Sequence, residues 1–297
     1  MLATSHCEEI TYLVANFNCA AYVAECLQSL DRQDLKRWRC IICDDCSTDE
    51  SVSVIERCLA QCVNSARVTF IRNETNIGYI ETLRRMLAMA TTDIVGILDA
   101  DDFLEPAATR LVMAKYEEAA SVRFVYSRYR TVDVASNPIP TNSPMCARVP
   151  PGRTALVYGY IGALRTFRRT AYAETAGLDS SLLYAEDRDL VYKLEEVAEP
   201  HFIDQVLYNY RLVRGSQSTD EHKYQEGIRN HVIARRNALE RRGGTGLNLL
   251  VHELMNDCLL GRAGRYGAFR SMASRHLLKA MIKLIAVTDH SSGRLRP

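Results

Sequence analysis

Residues 94–102 read IVGILDADD, an apolar run that stops abruptly at three aspartates within four positions. A short run of apolar and β-branched residues bounded by polar ones is typical of a buried strand. We therefore predict a strand over 94–98 that leads directly into Asp99. The acidic residues would then lie at the carboxyl end of that strand.

Asp99, Asp101 and Asp102 are predicted to hold a metal ion. Crowded carboxylates repel one another and lose hydration beside a buried strand, and a cation relieves both penalties. A few carboxylates suit Mg²⁺ or Mn²⁺, whose remaining ligands are often phosphate oxygens. The simpler interpretation is a solvated acidic turn, because a DxD motif alone occurs often by chance.

The sequence before this stretch repeats a pattern of strand, turn and helix. Apolar runs over 10–15, 39–43 and 68–71 predict three more strands, and apolar residues at helical spacing follow each of them. Parallel neighbours need a crossover connection, so this alternation predicts an α/β fold with a mostly parallel sheet flanked by helices. Ligands of such sheets bind at the carboxyl ends of the strands, where the acidic residues fall.

Two adjacent aspartates end the predicted second strand. Asp44 and Asp45 are followed by Ser47 and Glu50, which match a capping box at the start of a helix. A carboxylate at that strand end can accept the ring N–H of uracil or a similar base. The alternative is an Asx turn that caps the helix, and each aspartate can serve one of these purposes.

The second half of the chain has a different character. Residues 131–152 are rich in Pro, Ser and Asn and predict a long loop of the kind that is often functional. A β-prone run near 161–167, a helix near 187–197 and a paired-strand pattern over 201–212 follow. Beyond residue 218 the sequence becomes helical and basic, so we predict a main domain over 1–219 and a helical basic extension over 220–297.

Five segments together carry a family resemblance. They are NFNCAAYVAECLQSL at 16–30, DDCSTDES at 44–51, NIG at 76–78, ILDADD at 97–102 and AEDRDL at 185–190. In order and spacing they resemble the family 2 glycosyltransferases, over residues 9–219. The resemblance implies the Rossmann-like GT-A fold and an inverting enzyme that uses a nucleotide-sugar donor.

The resemblance also implies roles for residues at the matching positions. Asp187 would be the general base that deprotonates the acceptor hydroxyl, on the side opposite the departing diphosphate. Glu186, Arg211 and Arg214 are candidate contacts of the diphosphate or the acceptor. A simpler interpretation makes Glu186 and Asp187 favourable charges at a helix N-terminus. The nucleotide-binding residues implied by the resemblance are Ala15, Asn16, Asn18, Asp44, Asp45, Asn76, Arg84 and Asp101.

Three positions depart from the family pattern. Cys46 stands where relatives usually have Gly in DDGSTD, so the turn lacks the backbone freedom of glycine. Residues 83–85 read LRR where Ala-Arg-Asn is frequent, so the basic partner of the diphosphate is shifted or absent. Val213 stands where His is frequent, which leaves the two nearby arginines either as substitutes or as surface charge.

The cysteines raise an alternative metal site. Cys40, Cys43 and Cys46 have the Cys-x-x-Cys spacing of zinc sites and redox motifs. Alternation along a strand sends Cys40 and Cys43 to opposite faces, and no second such pair completes a tetrahedral set. We therefore expect the ten cysteines of the chain to be reduced thiols, used as small core residues.

Charge and hydropathy limit the partners and the location. The formal net charge of +1 gives no electrostatic reason to expect nucleic-acid binding. The first ten residues lack the apolar stretch of a signal peptide, and no segment offers about 18 uncharged apolar residues. We therefore expect a cytoplasmic protein.

The C-terminal segment is strongly basic. Residues 261–297 contain eight Arg or Lys and one acidic residue, Asp289. Apolar residues set among these charges resemble an interfacial amphipathic helix, which predicts peripheral attachment to the anionic cytoplasmic face of the inner membrane, near a lipid-linked acceptor. The alternative is a helix that packs on the main domain or on the second subunit of a homodimer.

Together these features predict a metal-dependent glycosyltransferase. It would move a hexosyl or related sugar from a UDP-linked donor to a hydroxyl of a glycan or glycolipid acceptor, during assembly of a surface polysaccharide or glycoconjugate. One rival is a nucleotidyltransferase that makes nucleotide sugars, which would need a Gly-rich basic loop where 16–22 read NFNCAAY. The other rival is a non-catalytic nucleotide-binding protein, which would bind nucleotide without turnover.

Overall fold

The computed structural model describes residues 9–140, 146–158, 161–213 and 220–244. Contacts divide these residues into two compact units. The first unit contains the described residues up to Arg148 together with 161–178 and 197–213. The second contains 149–158, 179–196 and 220–244.

The first unit is built on one mixed sheet. Among the described residues it has eight strands, in the order β3-β2-β1-β4-β7-β6-β8-β5. β1 to β4 pair in parallel, as do β6 and β8, whereas β7 is antiparallel to β4 and β6, and β5 is antiparallel to β8. In chain order the strands are β1 (Ile10–Asn16), β2 (Trp38–Asp44), β3 (Val68–Arg72), β4 (Ile94–Ile97), β5 (Phe103–Leu104), β6 (Phe124–Val132), β7 (Arg165–Arg168) and β8 (Pro200–Arg211).

Helices connect the strands of the first unit and complete its core. One apolar cluster joins alternate residues of β1 and β2, such as Tyr12 and Trp38, to Leu30, Ile55 and Val112 on three of the helices. All five of these side chains are fully buried. The helices of this unit are α1 (Val23–Asp31), α2 (Ser51–Gln61), α3 (Tyr79–Met89), α4 (Ala108–Glu117) and α6 (Arg169–Ala173), with a short 3₁₀ turn at Ser65–Arg67.

The second unit is helical in its described part. Its helices are α5 (Ala155–Tyr158), α7 (Glu186–Glu195) and α8 (Glu221–Arg241). α7 packs against both α5 and α8. The basic extension predicted beyond residue 218 therefore begins as a helix of 21 residues.

The α/β prediction is confirmed, and the four strands predicted before residue 99 all form in parallel register. Two expectations for the second half of the chain were wrong. The loop predicted from residue 131 begins later, because β6 continues to Val132. The pairing of β6 with β8 shifts in register on both sides of Arg128. Residues 200–211 form one strand rather than a pair, because β8 takes its partners, β6 and β5, from distant parts of the sequence.

Some predictions concern residues outside those the structure describes. They are the phosphate or acceptor contact of Arg214 and the amphipathic segment 261–297. Among the described residues, no helix is both long enough and apolar enough to cross a bilayer.

Candidate active site

A cleft lies in the first unit where β1 and β2 end and α3 begins. Its volume is about 220 Å³. Because β1 and β2 are parallel neighbours, their carboxyl ends bring the residues after both strands to one place. The cleft is lined by Ala15, Asn16, Phe17, Asp45, Asn76, Gly78, Tyr79 and Thr82.

Hydrogen bonds join the segment that follows β1 to the segment that follows β2, beside the cleft. The Asn16 amide donates to Asp44 Oδ1 at 2.7 Å and to Ser47 Oγ at 3.2 Å. Asp44 also accepts the Ser47 hydroxyl at 2.6 Å and the Ser47 N–H at 3.0 Å. Asn18 Oδ1 accepts the N–H of Thr48 at 2.8 Å. These bonds fix the Asn16 amide, whose Oδ1 is buried and has no hydrogen-bond partner among the described residues.

The turn after β2 keeps a glycine-like conformation without glycine. Cys46 has φ +61°, in the left-handed region that L-residues rarely occupy. Its thiol donates weakly to the Glu74 carbonyl, with an Sγ to O distance of 3.6 Å. The departure noted at Cys46 therefore leaves the shape of the turn intact, and the cost is backbone strain.

Asp45 is held by donors from the segment that leads into α3. Its Oδ1 accepts the Asn73 amide at 2.7 Å and the Ile77 N–H at 2.9 Å, and its Oδ2 accepts the Gly78 N–H at 2.8 Å. Asn76 Oδ1 lies 3.1 Å from the same Gly78 N–H. Gly78 has φ +86°, which explains the glycine of the NIG motif. Asp45 is thus preorganised at the edge of the cleft.

Arg84 lies on α3 but is not among the residues that line the cleft. Its guanidinium pairs with Glu81 and donates to the Leu178 carbonyl. The neighbouring Arg85 donates to Asn73, the residue that holds Asp45. Arg85 therefore supports the cleft from outside through Asn73, whereas the contacts of Arg84 are to residues that do not line the cleft.

The carboxylate turn, residues 99–102, follows β4 at the next strand end. Asp102 is 1% exposed, and its Oδ1 accepts the Arg211 backbone N–H while its Oδ2 accepts the Tyr208 hydroxyl, both at 2.7 Å. Asp99 Oδ1 accepts the Tyr79 hydroxyl at 2.8 Å. Burial, followed by the charges of Asp101 and Asp99, raises the pKa of Asp102 well above its usual value.

Asp101 is the least compensated carboxylate of this turn. Burial and the neighbouring Asp99 raise its pKa to about 6. In the described part of the chain, no side chain of another residue donates a hydrogen bond to its carboxylate. A hard cation would supply the missing charge, so the donor set fits Mg²⁺ or Mn²⁺. The described residues form no cluster of three or more metal-binding side chains, and such a cation would draw its other ligands from phosphate or water.

Arg211 is buried and braces this turn. Its Nε donates to the Asp101 carbonyl at 2.7 Å, and its guanidinium contacts Glu25 Oε2 at 2.5 Å and Ser136 Oγ at 2.9 Å. The guanidinium also lies over the Tyr22 ring, 4.9 Å from its centroid. Its hydrogen-bonding groups therefore face protein atoms.

Asp187 lies in the second unit, in the first turn of α7. Its Oδ1 accepts the Arg188 N–H at 2.7 Å, and Glu186 beside it is 8% exposed. One turn further on, Asp189 and Lys193 form a buried ion pair at 2.5 Å. The helix start is therefore rich in carboxylates, and burial raises the pKa of Asp189.

α8 holds the segment that leads into α7. The Asn230 amide donates to the Leu183 carbonyl at 2.8 Å, and Gly227 lies against the backbone of Tyr184, which has φ +65°. His231 Nε2 lies 2.6 Å from the Tyr192 hydroxyl. Burial lowers the pKa of His231 to about 4, helped by the charges of Arg188 and Arg235 and opposed by that of Asp187.

Sequence reasoning missed several residues of the site. Tyr79 and Thr82 line the cleft, Asn73 holds Asp45, and Tyr208 contacts the carboxylate turn. Tyr79 and Thr82 lie one turn apart at the start of α3, just after the NIG motif, and could have been found from that position. The sequence around Tyr208 does not indicate its role, because Tyr208 reaches Asp102 only through the pairing of β8 with β5 and β6.

Residues 11–175, more than half of the chain, match the model of glycosyl transferase family 2. Chondroitin synthase of Escherichia coli is 28% identical over 251 residues, which are 84% of this chain and 35% of that protein. Hyaluronan synthase of Pasteurella multocida is 27% identical over 241 residues, which are 80% of this chain and 24% of that protein. The chain thus spans only a minor part of the length of these relatives.

Two solved structures have the same fold. Residues 1–349 of S. aureus TarS, in complex with UDP-GlcNAc, give a TM-score of 0.65 at 17% identity, covering 95% of this chain and 88% of that chain. The mannosyltransferase PcManGT from Pyrobaculum calidifontis, in complex with GDP-Man and Mn²⁺, gives 0.59 at 17% identity, covering 97% and 88%. These likenesses confirm the predicted GT-A fold. By the match over 11–175, this chain belongs to glycosyl transferase family 2.

Proposed function

We propose that this chain is an inverting glycosyltransferase that takes a sugar from a UDP-linked donor. One observation carries the proposal: the cleft and the carboxylate turn lie at neighbouring strand ends and share Tyr79. Tyr79 lines the cleft, and its hydroxyl binds Asp99. A nucleotide sugar with its nucleoside in the cleft would therefore direct its diphosphate towards the carboxylates.

The polar groups of the cleft suit uracil. Asp45 lines the cleft as an acceptor that three protein donors already orient, and uracil offers a ring N–H as its donor. Phe17 lines the same cleft with 46% of its surface exposed, which leaves its ring available to stack on the base. TarS was solved with UDP-GlcNAc, which agrees with a uridine donor.

We assign the cation site to Asp101, with Asp99 beside it. When bound, Mg²⁺ or Mn²⁺ would neutralise the diphosphate and stabilise the charge of the leaving nucleotide. Asp102 and Arg211 would support the turn rather than touch the donor, because they bind each other and the rest of the turn and, unlike Asp45, do not line the cleft. PcManGT was solved with GDP-Man and Mn²⁺, which supports a divalent ion in a relative of this fold.

Asp187 is proposed as the general base. The family resemblance of AEDRDL supports it, as does its place in the first turn of a helix. A carboxylate that accepts the proton of the acceptor hydroxyl, opposite the departing UDP, gives a single displacement with inversion. Glu186 is proposed to contact the acceptor.

The proposed acceptor is a growing polysaccharide or a glycolipid that begins one. Chondroitin synthase and hyaluronan synthase are similar to most of this chain. Peripheral attachment through 261–297 and a homodimer remain proposals from the sequence, and deletion of 270–297 with liposome binding would test the attachment.

Donor binding can be tested by thermal shift with UDP, GDP and UDP-sugars, each with and without Mn²⁺. A ligand at 100 times its Kd raises stability by about 2.7 kcal/mol, which a melting curve detects. We expect UDP compounds to stabilise the protein and Mn²⁺ to increase that shift. A shift with GDP alone would contradict the uridine assignment, and no shift with any nucleotide would contradict the function.

Asp187→Asn tests the chemistry separately from binding. We expect transfer to fall at least about 100-fold, because loss of general base catalysis has effects of that size or more. The Mn²⁺-dependent shift with UDP should stay. Asp34→Asn, at a surface ion pair with Arg110, is the matched control and should transfer normally. Full activity of Asp187→Asn would remove this residue from the mechanism.

A further inference from the structure

Two tyrosine hydroxyls contact the carboxylate turn. Tyr208 is fully buried, and its hydroxyl donates to Asp102 Oδ2 at 2.7 Å while accepting the Asp99 N–H at 3.2 Å. Tyr79 donates to Asp99 Oδ1 at 2.8 Å. Tyr208 thus bridges the first and last residues of the turn, and Tyr79 holds its first residue from the side of α3. Asp101, between them, receives neither hydroxyl.

The chemistry of a phenol matters at these positions. An Arg or Lys against the same carboxylates would neutralise them and compete with a metal ion. A neutral hydroxyl satisfies an oxygen that burial has removed from water, yet it leaves the negative charge in place. The turn can therefore be rigid and remain a site for a cation.

We propose that Tyr208 and Tyr79 are positioning residues that hold Asp99 and Asp102 so that Asp101 is presented to the metal ion. The inference rests on the proposed function, because it assigns these residues to its cation site. The two tyrosines are expected to differ in how much they affect metal binding. Tyr208 closes the turn, together with the Asp102 N–H to Asp99 carbonyl bond at 3.1 Å, whereas Tyr79 holds Asp99 Oδ1.

Loss of the Tyr208 hydroxyl would leave a buried carboxylate oxygen and the Asp99 N–H without this partner. Groups that orient metal ligands typically change metal affinity by about 10- to 100-fold when removed. We expect Tyr208→Phe to raise the Kd for Mn²⁺, measured with UDP at saturation, by that factor. Tyr79→Phe should raise it by about 10-fold, at the lower end of the same range.

The experiment measures bound Mn²⁺ by electron paramagnetic resonance, and binding of uridine without metal by calorimetry. Uridine has no phosphate, so its affinity reports the cleft alone and should be unchanged in Tyr208→Phe. Tyr116→Phe is the matched control, because the Tyr116 phenol is buried like that of Tyr208 but forms its hydrogen bond with a neutral group. Its oxygen lies 3.1 Å from the Thr166 hydroxyl oxygen. This variant should bind Mn²⁺ like the unaltered protein.

The outcomes separate the two levels of the proposal. If the unaltered protein binds Mn²⁺ with UDP and both variants bind it equally well, the positioning role is refuted and the proposed function stands. If Mn²⁺ does not change the affinity of the unaltered protein for UDP, the metal site and the positioning role are both refuted. Should Tyr208→Phe not fold, Tyr79→Phe decides the matter, because Tyr79 is only partly buried.

Discussion

The turn at Cys46 offers a test of backbone strain at the nucleotide cleft. Cys46 has φ +61°, and its Cβ crowds the chain in that conformation, whereas glycine adopts it freely. Cys46→Gly should therefore stabilise the protein. The opposite result is the usual one for a glycine substitution, because glycine loses more conformational freedom on folding.

The expected gain follows from these two terms. The left-handed conformation costs an L-residue about 1–2 kcal/mol, and glycine costs about 0.5–1 kcal/mol more in chain entropy. The difference predicts a stabilisation of up to about 1.5 kcal/mol, with a central value of about 0.8 kcal/mol. The thiol adds little, because its hydrogen bond within the described part of the chain is a long contact of 3.6 Å to the Glu74 carbonyl.

Urea unfolding of the unaltered protein, Cys46→Gly and Cys46→Ala would measure the effect. Alanine keeps the Cβ and removes the thiol, so Cys46→Ala should change stability by no more than about 0.5 kcal/mol. The midpoint for Cys46→Gly should rise at unchanged slope, with UDP affinity unaltered. If the glycine and alanine variants unfold at the same midpoint, strain at this turn does not limit stability.

Two further predictions concern α8. A change from glycine to alanine normally favours a helix by about 1 kcal/mol, but the Cβ of Gly227→Ala would lie 2.9 Å from the Tyr184 carbonyl oxygen. We therefore expect the free energy of unfolding to fall by about 1–3 kcal/mol, with a lower Tm. A higher Tm would contradict this packing. His231 has a folded pKa of about 4 against 6.5 unfolded, so only the unfolded chain takes up its proton as the pH falls between these values. The free energy of unfolding should therefore decrease as the pH falls from 6.5 to 4, by up to about 3 kcal/mol from this residue. Urea titrations at several pH values should show a smaller decrease for His231→Gln. If the decrease with pH is the same in both proteins, the assignment is refuted.

Much of the site could be predicted because its residues directly follow strands. Asp44, Asp45 and Asp99 stand where apolar runs end, and parallel strands collect those ends at one edge. The local partners were also within reach. Asn16 pairs with Asp44 because β1 and β2 are parallel neighbours in this register, and the strand-helix alternation already predicts the parallel sheet.

Partners from distant strands could not be predicted in this way. Tyr208 and Arg211 reach the carboxylate turn because β8 lies between β6 and β5, and nothing in local periodicity gives that order. The same pairing explains why β6 was missed. Its sequence, FVYSRYRTV, contains two arginines that look like loop residues, although they pair with Asp204 and Glu105 along the sheet.

The sequence by itself determined the α/β class, the strand ends that carry the acidic residues and the ordered motifs of the family. These depend on residue spacing, which is local. The family pattern favours Asp101 and Asp102 over Asp99, but only the tertiary structure shows which protein atoms each aspartate of the turn contacts. Asp102 is enclosed by Tyr208 and Arg211, Asp99 accepts Tyr79, and Asp101 remains without such a donor, because hydrogen-bond partners and burial are decided by contacts between residues far apart in the chain.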